Sequence, residues 1–425
     1  MTTYYANGSP TTALTDDDLR AAMRAVFDQL GKKRKVLAVP PDFTRFNSRS
    51  GILTRITSDY YGAALTDVLP ALGTHVPMPD WQIAKMYAGV PKEIFRVHDW
   101  RNDVETIGTL PSDFVSKATG GIWDKPWPAQ LNRLASRGCH DLILSIGQVV
   151  PHEVAGMANH TKNLFIGIGG AAGINESHFI GAAYGMERMM GRADTPVRRL
   201  LNEALARFCG HLPIVFVLTV VGSDGAGGLA TRGLFIGDGT ECFELAAKLS
   251  LEVNFKLLDE EPKKVVVYLD PEEFHTTWLG NKSVYRTRMA IADRGELVVL
   301  APGLKGFGED PEIDRLIRAY GYRTTPEVMA AVRDHADLRN NLSAAAHLIH
   351  GSSEGRFTVT YCPGHLSKAE IEGVGYRYAD LQETIRRYDP TRLVDGWNQV
   401  DGERIFFISN PALGLWSYRG RFKDA

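Results

Sequence analysis

Cysteine is scarce in this chain. Four occur in 425 residues, at positions 139, 209, 242 and 362, with no CxxC pair. That density excludes a disulfide framework and leaves cysteine out of any metal-ligand set, so the four thiols are expected as small buried hydrophobes. No apolar run approaches the roughly 20 residues that span a bilayer. The first residues, MTTYYANGSPTTALTDDDL, lack the basic and apolar regions of a signal peptide. Neither sign of charge dominates, with 48 Lys and Arg against 50 Asp and Glu and a formal net charge of −2, which argues against a polyanionic partner. Internal repeats and low-complexity tracts are also missing. These absences point to a cytoplasmic protein with no membrane or nucleic-acid partner.

What is present is an alternation of strand and helix signals. A helix is expected after the cap-like Thr15, with acids in its first turn and Gly31 at its end. The run VLAVPPDFTR reads as a buried strand that breaks at Pro40 and Pro41 into a loop carrying Asp42 and Arg45. YYGAALTDVLPALGTH reads as a helix feeding a loop that presents His75, and DLILSIGQVVPHE as a strand whose end presents His152. Further short apolar runs, LPIVFVLTVVG, KKVVVYLD, ELVVLAPG and ERIFFISN, extend the pattern. Strands alternating with helices imply parallel sheets, with ligands held at the carboxyl ends of strands. The expected fold is α/β, with two α/β domains of mainly parallel sheet and the active site in the cleft between them. The charged stretch LLDEEPKK suggests an N-terminal catalytic domain over 1–262 and a C-terminal domain over 263–425, whose last segment either completes its own sheet or packs back on the first domain.

The chemistry concentrates in three histidines and a lysine. Lys162 lies ten residues after His152 and sixteen before His178, in VVPHEVAGMANHTKNLFIGIGGAAGINESHF, and His75 sits upstream in LGTHVPMPD. Neutral imidazole ligates nickel, zinc, copper or iron, while free imidazole moves protons near neutral pH. A deprotonated lysine can anchor a cofactor covalently, and the surrounding Gly and Ala admit a bulky group close to the backbone. In NESHF, Asn175 or Ser177 reads equally as a helix cap with His178 beside it.

The ordered elements DxTR, GTHxPM, HxxAGx5K and NxxH resemble the lactate racemase family of nickel-pincer enzymes. The resemblance implies that Lys162 carries a pyridinium-3,5-bisthiocarboxylate mononucleotide nickel cofactor, the nickel-pincer nucleotide, and that His178 is a nickel ligand. It places the two acid/base histidines at His75 and His152, and the DxTR element at Asp42, Phe43, Thr44 and Arg45, with Asp42, Thr44 and Arg45 near the cofactor. Farther on, WLGNKSVY matches an element near the substrate, suggesting Trp278 and Lys282, with Arg45 and Lys282 as holders of a carboxylate or phosphate. The activity implied is racemisation or epimerisation at C2 of a 2-hydroxy acid by hydride abstraction and return, with transient contacts to cofactor-biosynthesis proteins.

The chain departs from the family at two places. ANHTK stands where lactate racemase has SGGRK, which adds His160, and Trp278 stands where it has tyrosine. With His160 taken as substrate-binding, these changes point to a 2-hydroxy acid larger or more polar than lactate. Two other readings compete. In one, His75, His152 and His178 are three zinc ligands of a hydrolase. In the other, GIGGAAG lines a phosphate site of a non-catalytic nucleotide- or cofactor-binding protein, although it is not the GxGxxG that such sites use.

Overall fold

The first helix forms where its cap predicts. It spans Asp16–Leu30, the Thr15 and Asp18 side chains form a reciprocal capping box, and Gly31 closes it with φ 73°. The computed structural model describes residues 2–225 and 228–422. The chain forms two compact units, one of Met1–Ile180 with Met189–Asn254 and the other of Gly181–Arg188 with Phe255–Ala425.

Unit one contains strands β1 (Thr3–Gly8), β2 (Val36–Val39), β3 (Leu65–Val68), β4 (Val104–Leu110), β5 (Trp127–Asn132), β6 (Leu142–Gln148), β7 (Pro151–His152), β8 (Gly156–Met157), β9 (Ile214–Ser223) and β10 (Leu229–Gly237). Six of them make a sheet in the order β1-β10-β9-β6-β2-β3, while β4–β5 and β7–β8 form two-stranded ribbons. From β9 through β6 and β2 to β3 the pairing is parallel. This is the feature that builds the site: β3, β2 and β6 are neighbours running the same way, so the loops leaving their carboxyl ends emerge side by side. Those loops carry His75, Asp42 and His152, which are far apart in sequence.

The loops are stitched together by backbone bonds. Leu69 N–H donates to the Ala38 carbonyl and Ala71 N–H to that of Pro40, continuing the β2–β3 register past the strand ends. Ala158 N–H donates to the Val150 carbonyl. Below them lies an apolar core that includes Leu19, Phe27, Val36, Leu53, Val68, Leu144 and Val217.

Two local expectations are corrected. YYGAALTDVLPALGTH is not one helix. The helix over Ser50–Tyr61 stops at Gly62, whose φ of 54° favours glycine, and LTDV becomes β3 against β2. NESHF is not a helix start, because the helix already begins at Ala171 and runs to Tyr184, leaving His178 in its interior. Of the cysteines, Cys209, Cys242 and Cys362 are buried as expected, but Cys139 is exposed.

Unit two adds β11 (Phe255–Leu258), β12 (Lys264–Tyr268), β13 (Glu296–Ala301), β14 (Thr358–Pro363), β15 (Arg377–Tyr378), β16 (Gly396–Val400), β17 (Glu403–Ile408) and β18 (Leu415–Tyr418). Its main sheet, β15-β14-β13-β12-β17-β16, is parallel except for the β16–β17 edge. The central strands read as continuous apolar runs such as VVV and LVVLA because both faces of a parallel sheet are covered. Among the described residues no helix is long and apolar enough to cross a membrane.

Candidate active site

Asp42 leaves β2 and is almost fully buried, at 5% exposure. Its carboxylate accepts from the Thr44 hydroxyl at 2.5 Å and pairs with His75 Nδ1 at 2.7 Å. Burial alone would push the carboxyl up, but His75, Thr44 and Arg45 outweigh it and hold Asp42 below the ordinary carboxylate range. An ionised Asp42 holds the His75 ring through Nδ1. Nδ1–H donates to the carboxylate, which leaves the Nε2 lone pair facing outward on a ring whose side chain is 45% exposed.

His152 lies on the short strand β7 and is buried, at 6% exposure. Its Nδ1 accepts the Val154 N–H at 3.1 Å, and the Glu153 carboxylate stands 3.8 Å from the same nitrogen. The glycine of HxxAG is required by backbone shape. Gly156 has φ +77°, and a Cβ there would sit 2.1 Å from the Arg192 carbonyl oxygen.

The turn that delivers Lys162 is unusual. Asn159 and His160 both adopt left-handed backbone, with φ of 64° and 57°, a conformation that costs a non-glycine residue on the order of 1–2 kcal/mol. Two devices hold it. The Arg198 guanidinium, 1% exposed, donates to the Asn159 and Met157 carbonyls and to the Thr161 hydroxyl. The His160 ring packs 3.9 Å from that of Phe216 and stacks 5.1 Å from Phe243, and its Nε2–H donates to the Gly239 carbonyl. Lys162 then opens a π-helical turn over Asn163–Gly167, in which Ile168 N–H reaches the Asn163 carbonyl. Such turns recur at functional sites. Asn163 ties this one to the sheet by donating to the Val39 carbonyl and Ser145 Oγ.

Burial first, and then Arg45, lower the Lys162 ammonium to about 8, with Glu153 opposing. A fraction of the amine is therefore neutral and nucleophilic near neutral pH. His178 is lowered to about 4, chiefly by burial, so its ring is neutral. Its Nδ1–H donates 2.7 Å to the Ile174 carbonyl one turn back, which leaves Nε2 as the lone-pair nitrogen that a metal requires. The helix that carries it is capped from outside: the Gln130 side chain on β5 accepts the Ala172 and Gly173 N–H groups. His98 Nε2–H holds the Gly169 carbonyl just before it. Trp127 is core, while Trp123 packs edge-on against Phe179 of the same helix.

Asp42, Thr44, Arg45, His75, His152, Lys162 and His178 thus belong to one electrostatically coupled group in unit one. Sequence reasoning missed Glu153, which acts on Lys162 and His178 and stands beside His152. Its only signal was its place between His152 and the AG pair. His160, expected at the substrate, is instead fully buried between two phenylalanines, with its charged form suppressed to a value of about 3 chiefly by burial. It anchors the turn. Among the described residues no three His, Cys, Asp or Glu side chains converge as a metal site, so the three-histidine arrangement of the zinc reading is not assembled.

Trp278 and Lys282 lie in unit two, on successive short helices, and both are partly buried. The Trp278 ring lies 4.5 Å from that of His347, whose Nε2 bonds the Tyr322 hydroxyl at 3.0 Å. Lys282 Nζ is 5.5 Å from the centroid of the Phe274 ring.

No protein-family model matches the chain, and no curated protein matches it in sequence. Solved structures do. A crystal structure of a protein from Thermotoga maritima, determined as a structural genomics target, is 25% identical with a TM-score of 0.82, over 98% of this chain and 100% of that one. The lactate racemase apoprotein from Thermoanaerobacterium thermosaccharolyticum is 16% identical with a TM-score of 0.70, over 97% of this chain and 93% of its own. The chain is similar in fold to lactate racemase over nearly the whole length of both.

Proposed function

We propose that this protein is a racemase or epimerase of 2-hydroxy acids in the lactate racemase family, working with a nickel-pincer nucleotide attached to Lys162. The observation that carries the reading is one coupled group holding a lysine with a lowered ammonium value, a histidine whose Nε2 lone pair is left open, and two further histidines that follow the strands on either side of β2. The donor set suits that cofactor. Lys162 would be the tether and His178 the single protein ligand, while Asp42, Thr44 and Arg45 line the same place. When bound, such a group supplies reversible hydride acceptance at the substrate Cα.

The protein's own residues handle the protons. His75, with Nδ1–H on Asp42, presents Nε2 as a base for a substrate hydroxyl, and Asp42 stabilises the imidazolium that results. The two enantiomers place the hydroxyl differently, so a second proton carrier is needed, and His152 is the candidate for it. Arg45 and Lys282 are the proposed holders of carboxylate or phosphate. If Trp278 lies near the substrate, as the resemblance implies, it would favour a substituent larger than methyl; His160, whose ring is buried, plays no part in that choice.

The test uses protein co-expressed with the cofactor-biosynthesis enzymes and a panel of enantiopure 2-hydroxy acids in deuterated water. Inversion at C2 with the Cα hydrogen retained is expected. Wholesale deuterium at Cα would overturn the hydride reading, and a loaded enzyme that inverts no panel member would overturn the racemase assignment.

A further inference from the structure

Both histidines have a carboxylate close to Nδ1, but only one pair is closed. Asp42 meets His75 at 2.7 Å, while Glu153 stands 3.8 Å from His152, whose Nδ1 lone pair is occupied by the Val154 N–H. This difference has a chemical meaning. A neutral imidazole that accepts at Nδ1 carries its proton on Nε2, so His152 as arranged cannot take a proton at Nε2. To work as a base or as an imidazolium acid it must carry a proton on Nδ1, and that proton needs an acceptor where the Val154 N–H now points.

We infer that Glu153 is the carboxylate partner of His152, exchanging with the Val154 N–H at Nδ1 and thereby switching the ring between a base-incompetent and a base-competent form. The inference rests on the racemase reading for its catalytic meaning, but not for the pairing itself. With Val154 engaged, the proton is on Nε2. With Glu153 engaged, Nδ1–H donates to the carboxylate and the Nε2 lone pair can accept a hydroxyl proton, the ring becoming imidazolium, and later return it. Nothing is oxidised or reduced, and the proton exchanges between ring nitrogens through solvent.

Three observations support the role. The Glu153 side chain is only 20% exposed, so its charge is poorly screened. It needs to move about 1 Å to reach hydrogen-bond distance of Nδ1. It is also the acidic centre of the group, attracting both Lys162 and His178. Other charged or titratable groups near this centre are Arg45, Arg198 and Asp42, which act on Lys162, and His75, which acts on His178. On the Glu241–Asn254 helix packed against β7, the charged residues Glu241, Glu244, Lys248 and Glu252 are all exposed. Glu153 is therefore the carboxylate placed to answer a proton on His152 Nδ1, and it acts as a positioning residue through that ring.

The experiment reads the ring directly. Uniformly 15N-labelled full-length protein is titrated by long-range 1H–15N correlation, with the His152 signals identified by their loss in His152→Asn. Glu153→Gln keeps the size of the side chain and removes its charge. It should move the His152 titration midpoint down by about one pH unit, the low end of the effect of an opposite charge within 4–6 Å, and Glu153→Asp should restore part of the shift. In cofactor-loaded enzyme the matching limb of the kcat profile should move with it. An unchanged His152 midpoint in Glu153→Gln overturns the pairing. A shifted midpoint in a loaded protein that racemises nothing upholds the pairing and rejects the racemase reading.

Discussion

The two histidine ends of the site are built in opposite ways. His75 is half exposed on the loop after β3, and its carboxylate partner comes from a different loop, after β2. His152 is buried on a two-residue strand, and its ring is held by the amide of a residue two positions on. One end is assembled by the sheet, which brings neighbouring strand ends together. The other is assembled locally, by the β7–β8 hairpin, within which the Val154 N–H donates to the ring. The difference teaches that a histidine ring can be fixed by either long-range or short-range structure, with different vulnerabilities.

The largest expected effect removes what both ends serve. Lys162→Ala should abolish covalent loading, read by intact-protein mass spectrometry, and turnover with it. The circular dichroism spectrum should be unchanged, because Lys162 has helical backbone that alanine adopts readily. Retained turnover would break the comparison at its root, since neither histidine would then have a cofactor beside it.

Next come the histidines themselves. His75→Ala and His152→Ala should each lower kcat by about 10² to 10⁴, the usual contribution of general acid–base catalysis. The larger loss of stability should belong to His152→Ala, which empties a buried site and leaves the Val154 N–H without its acceptor, a cost of about 1–3 kcal/mol. Urea unfolding of the two variants decides it. A larger loss for His75→Ala would show that the exposed end is the structural one.

At neutral pH the last effect vanishes, and it grows only in acid. His160 has its folded value lowered from 6.5 to about 3, chiefly by burial. The folded state thus binds fewer protons than the unfolded one, so the stabilisation is full above pH 6.5 and is lost as pH falls from 6.5 towards 3. The loss should reach on the order of 5 kcal/mol well below pH 3. His160→Phe should flatten the urea midpoint against pH across that window. An equally steep profile would mean that the turn is not held by a buried neutral imidazole.

The alternation of strand and helix was legible because buried parallel strands are written as apolar runs and because caps such as Thr15 and Gly31 mark helix ends. LTDV was misread because four residues carry too little periodicity to separate an edge strand from a helix; the β2 neighbour decides it. Lys162, His75, His152 and His178 stood out through their order and spacing, and the fold brings them into one electrostatically coupled group, while the chemistry assigned to each is the proposal. His160 was misjudged because sequence adjacency to Lys162 says nothing about direction, and left-handed backbone at residues 159 and 160 turns its ring into the core. Glu153 was overlooked because a carboxylate beside a histidine is common. Its meaning comes from the fold that brings Lys162 and His178 within its field.

The bond from His178 Nδ1 to the Ile174 carbonyl has a consequence for how metal would be captured. A free histidine on a helix samples several rotamers, and freezing one on binding costs about 0.5–1.5 kcal/mol. Here the ring is locked when the helix forms, so that entropy loss belongs to folding and is absent from the metal equilibrium. The locked ring also presents its lone pair along one direction. Selectivity would then arise from angle as much as from affinity, favouring a metal whose other ligands already define an open position on that line.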